Sequence, residues 1–61
     1  MNIKKAKKLF DEKNYSESKK MVSILLDQNT NDLELIELLI KNKIKLNQPY
    51  LQNLDSYINT I

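Results

Sequence analysis

The chain has 61 residues, ten basic and eight acidic, giving a net charge of +2, and it contains no cysteine, histidine or glycine. A chain this short makes one small domain and buries only about 60% of its unfolded surface, so its stability is marginal. Its composition excludes disulfides, ordinary zinc sites, thiol or imidazole nucleophiles and Gly-rich phosphate loops, and predicts a non-enzymatic protein with no cofactor and no metal.

All ten basic residues are lysine. Residues 1–20 hold seven lysines against three acids, and residues 21–61 hold three lysines against five acids. Lysine, asparagine and isoleucine are the residues that A/T-rich codons favour, so much of this asymmetry reads as composition. No signal peptide is expected, because Asp11 and Glu12 interrupt the start before an apolar core has formed. No apolar run approaches the roughly 20 residues needed to span a bilayer. A cytoplasmic protein is the expectation, in keeping with the missing cysteines.

The spacing predicts a first helix over 2–12, with Ile3, Ala6 and Phe10 on one face and Lys4, Lys5 and Lys8 pointing away. Its lysines sit near the positive end of the helix dipole, so it needs neighbours to be stable. Lys13 and Asn14 form a turn, with Asn14 as N-cap and Glu17 three residues on. A second helix follows over 15–28, burying Tyr15, Ser18, Val22, Leu25 and Leu26, with Ile24 almost opposite. Residues 28–32 are a polar break. In the absence of glycine, Asn29 and Asn47 are the residues expected to take left-handed, helix-ending conformations.

The third helix, over 32–46, is the organising element. Leu33, Ile36, Leu39, Ile40 and Ile44 make one stripe, and Leu35, Leu38 and Leu46 widen it far beyond a normal apolar face. A helix apolar over so much of its circumference is covered on two sides. Asn31 and Glu34 have capping-box spacing, and Glu37 and Lys41 form an i,i+4 pair. Pro49 then starts a fourth helix over 49–60, whose stripe is Tyr50, Leu51, Leu54, Tyr57, Ile58 and Ile61. No segment alternates with period two. The expected fold is all-α: four short antiparallel helices arranged as two helical hairpins in a single small domain.

The first hairpin, through Ala6, Leu9-Phe10, Lys13-Asn14-Tyr15, Glu17-Ser18 and Leu25-Leu26, resembles a tetratricopeptide repeat. It departs from that pattern where no glycine precedes Asn14, where Leu25 replaces a small residue and where Thr30 replaces proline. At the family period of 34 residues, Ala6 and Phe10 map onto Ile40 and Ile44, and Tyr15 maps onto Pro49, one short of Tyr50. The resemblance implies a protein-binding scaffold without chemistry of its own. It also implies a groove lined by Lys7, Glu34, Glu37 and Lys41. Arrays of this kind need at least three repeats, which implies self-association or a longer protein.

Three features compete as functional sites. Glu34 and Glu37 share a face, but beside Lys41 they read as a solvated strip. The cluster Lys4, Lys5, Lys7 and Lys8 could hold phosphates weakly, although no helix presents the Arg, Asn or Gln row that reads bases. Ile24, Leu35, Leu38 and Leu46 exceed what one two-layer core can cover, and predict an apolar face for another helix. The leading expectation is an interaction module that binds a partner protein or itself through Ile24, Leu35 and Leu38, steered by Lys4, Lys5 and Lys8. The alternative is a nucleic-acid-associated protein using the N-terminal lysines. Charging Leu38 separates the possibilities: lost association with intact helicity marks a surface, and unfolding marks a core.

Overall fold

Residues 3–29 and 32–60 are described by a computed structural model, and the four expected helices are all present. They are α1 (Ile3–Asp11), α2 (Tyr15–Gln28), α3 (Leu33–Lys45) and α4 (Leu51–Thr60). The fold is all-α, with no strand among the described residues. α2 packs on α1 and α3, α3 also takes α4, and α4 packs on α3 and on no other described helix. None of these helices is long and apolar enough to cross a membrane.

The two hairpins close with the same device. At the first, Lys13 has a left-handed φ of 64°. The Asn14 N–H donates to Leu9 O at 2.8 Å and the Lys13 N–H donates to Phe10 O at 2.9 Å. At the second, Asn47 has φ 59°. The Gln48 N–H donates to Lys43 O at 2.8 Å and the Asn47 N–H donates to Ile44 O at 3.1 Å. Both are Schellman turns, in which two crossed bonds satisfy carbonyls that the helix end would otherwise leave open. Asn47 takes the role expected of it. Asn29 does not, since its φ is −137°, and Lys13 takes a left-handed position that its residue type gave no reason to expect.

The helix starts differ from expectation. Asn31 lies outside the described residues. The N-cap of α3 is Asp32, whose carboxylate accepts from the Glu34 and Leu35 N–H groups at 3.0 and 3.2 Å. Asn14 holds the N-cap position of α2 but makes no capping bond with its side chain. Its φ of −92° and ψ of 59° lie outside the extended region from which a capping side chain reaches back.

The core is formed by Ala6, Val22, Leu25, Leu35, Leu38 and Leu39, with Ile3, Phe10, Met21 and Leu26 packed around it. Phe10 and Tyr15 meet edge to face across the first turn, their ring centres 5.2 Å apart. A buried polar string runs through this core. Ser18 Oγ donates to Ala6 O at 2.7 Å, and Asn42 Nδ2 donates to Ser18 Oγ at 2.9 Å and to Leu38 O at 3.1 Å. Two side chains thus tie α1, α2 and α3 together at one level.

α3 is covered on two sides, as its pattern predicts. Leu35, Leu38, Leu39 and Asn42 face the first hairpin. Ile36, also buried, and half-buried Ile40 precede Lys43 at helical spacing on the side that meets α4. Leu33 and Ile44, expected in the core stripe, are exposed.

Candidate functional site

α1 and α3 run side by side with a cleft of about 420 Å³ between them, floored by Phe10 and Leu38 and rimmed by Lys7, Asp11, Glu34, Glu37 and Lys41. The four residues that the repeat resemblance places in a groove therefore come together. Lys7 Nζ binds Glu34 Oε1 at 2.8 Å, and Lys41 Nζ binds Glu37 Oε1 at 3.1 Å. The hydrogen bond from Lys7 to Glu34 holds the Lys7 ammonium above its ordinary pKa. Both pairs are solvent-exposed, so each contributes little to stability. The rim carries two ammonium and three carboxylate groups and offers a mixed, slightly acidic surface. A second, wider concavity of about 740 Å³ opens between Lys19, Lys43 and the start of α4.

The remaining expected site residues divide. Lys4, Lys5 and Lys8 are exposed on the outer side of α1, and Lys7 leaves that cluster for Glu34. Ile24 is 46% exposed on α2. Leu35 and Leu38 are only 3% and 5% exposed and belong to the core cluster. The expectation that they supply spare apolar surface is therefore corrected: two-sided cover of α3 takes up that surplus. Leu46 is half-buried as well. No contiguous face formed by Ile24, Leu35 and Leu38 exists.

The apolar surplus lies on α4 instead. Leu51 is 71% exposed, Ile58 58% and Leu54 37%, and the helix has no buried residue. Leu51, Leu54 and Ile58 fall on one stripe. α4 turns toward α3 a face made of Tyr50, Asn53, Tyr57 and Thr60, all half-buried. The sequence pattern places Asn53 on the solvent side, and the structure differs. Its Oδ1 accepts from the half-buried Lys43 Nζ at 2.6 Å. α4 itself has a single charged residue, Asp55. Comparison with protein-family models, curated proteins and solved structures finds no match to this chain.

Proposed function

We propose that the chain is a small non-enzymatic protein–protein interaction module, acting as an adaptor, small chaperone, regulator or inhibitor by covering a partner's surface with an apolar helical face. The observation that carries this reading is the outward stripe of α4, where Leu51, Leu54 and Ile58 stand in solvent along an otherwise nearly uncharged helix. Such a row suits another helix laid against it. The tetratricopeptide-like scaffold gains support from the two Schellman turns, centred on Lys13 and Asn47 at the family period, and from the gathering of Lys7, Glu34, Glu37 and Lys41. To test the reading, the protein and its L51K/I58K variant are immobilised and exposed to the same extract of the source cells. Proteins retained by the parent and lost from an equally helical variant support it. An identical retained set contradicts it.

A second reading, nucleic-acid association through α1, is favoured by the exposure of Lys4, Lys5 and Lys8 on one side of that helix. It predicts binding to duplex DNA or RNA that collapses between low and moderate salt and vanishes in K4Q/K5Q/K8Q. Binding unchanged in that variant removes it.

A further inference from the structure

We propose that the partner laid against α4 is an amphipathic protein segment with an acidic end, and that this end docks in the concavity between Lys19, Lys43 and the start of α4. The inference rests on the interaction-module reading and names the chemistry of the partner.

The concavity and the apolar stripe form one continuous surface. Leu51 belongs to both. It lines the concavity together with Pro49 and Tyr50, and it begins the exposed row that continues through Leu54 and Ile58. A segment laid along that row therefore reaches the concavity at the N-terminal end of α4.

Charge decides what that end of the partner carries. Two lysines line the concavity and no carboxylate does. Lys19 Nζ donates to Gln48 Oε1 and Lys43 Nζ donates to Asn53 Oδ1, both of them neutral amide acceptors. Lys7, Lys20 and Lys41 instead pair with Glu34, Glu17 and Glu37. Sequence spacing accounts for the difference within the helices. Lys20 and Lys41 have a glutamate three or four residues earlier, whereas no acid stands three or four residues from Lys19 or Lys43 on either side. Both of these lysines are half-buried, so water and salt screen them less than the outer lysines of α1. A carboxylate arriving here exchanges a bond between an ion and a neutral amide for a bond between two ions, which is the stronger kind. The first turn of α4 holds no acid either, so the positive end of its dipole has the same sign as the two lysines.

The apolar lining favours a protein over a nucleic acid. Phosphate binding needs only cations, and Pro49, Tyr50, Leu51 and the row beyond them offer a phosphate backbone no useful contact. In a protein partner the two parts of the surface divide the work. The stripe supplies affinity, and the two lysines set orientation and the preference for an acid.

Two short synthetic helical peptides test this. They share one leucine stripe, and one is flanked at both ends by glutamates while the other is flanked by glutamines. At low salt the protein should bind the glutamate peptide about tenfold more tightly. That preference should vanish in K19Q/K43Q and persist in K19R/K43R, which keeps both charges. It should also persist in K4Q/K5Q/K8Q, which removes more charge elsewhere. L54Q/I58Q should weaken both peptides alike, with helicity unchanged. Equal affinity for the two peptides, or failure of both to bind, would overturn the proposal. So would a preference that survives in K19Q/K43Q, or one lost in K19R/K43R or K4Q/K5Q/K8Q. A duplex DNA that binds more tightly than the glutamate peptide, and is lost in K19Q/K43Q, would assign the concavity to phosphate instead. The broader reading is decided separately by the extract comparison.

Discussion

Asn42 stands where three helices meet, and its amide settles their relative height. Both hydrogens of Nδ2 are used, one on Ser18 and one on Leu38 O, while Oδ1 is buried with no partner among the described residues. A buried unsatisfied acceptor is destabilising, and so is stranding the donor opposite it. Ser18→Ala should therefore cost about 1–3 kcal/mol, because it strands an Asn42 N–H. In an Asn42→Leu background the same substitution should cost less than about 1 kcal/mol, since no stranded amide remains. Urea unfolding of the four proteins measures both costs, and equal values would show that the string does not couple the helices. The sequence makes half of this arrangement legible. Asn42 follows Leu35 and Leu38 at helical spacing, so an amide on an apolar stripe is visible, but its partner Ser18 lies in another helix and the pattern does not name it. The isolation of Asn42 among apolar neighbours is the signal that points to a buried partner.

Helix ends show what local chemistry could and could not reveal. Asp32 accepts two N–H groups, whereas the Asn14 side chain accepts none, so D32A should cost about 1 kcal/mol and N14A only a small fraction of that. Thermal melts compare the two directly, and a larger loss in N14A would contradict the assigned caps. Lys13 bears the strain of a left-handed residue with a Cβ, a cost of about 1–2 kcal/mol. Lys13→Gly relieves it and gives back about 0.4–1 kcal/mol in unfolded-chain entropy, so the protein should melt higher. Asn47→Gly should gain less, because asparagine already tolerates this conformation. Asn47 was readable for that reason and Lys13 was not, since lysine is placed there only by the turn it closes. Between the helices, Lys7 is held above its ordinary pKa by Glu34. A raised folded pKa stabilises fully below the ordinary lysine value of 10.5 and is lost as pH rises through the folded value. The stability difference between the protein and K7Q should shrink in that alkaline range and stay flat through neutrality.

At the scale of the whole molecule, four helices and their approximate limits follow from periodicity and turn residues, and the two-sided cover of α3 follows from its width. The outward face of α4 does not. Tyr50 and Tyr57 share the α3 side with Asn53, whose Oδ1 accepts from Lys43 Nζ, while Leu51, Leu54 and Ile58 lie on the adjoining, exposed side. The surplus apolar surface consequently lies on Leu51, Leu54 and Ile58, away from Leu35 and Leu38. Leu38→Ala should cost about 2–5 kcal/mol, comparable with the whole stability of a domain this small, and should largely abolish helicity. L51K/I58K should leave helicity intact. Retention of proteins from an extract of the source cells by the immobilised parent and by L51K/I58K tests the central claim most directly. Proteins held by the parent should be missing from the equally helical L51K/I58K variant. An identical retained set would contradict the account.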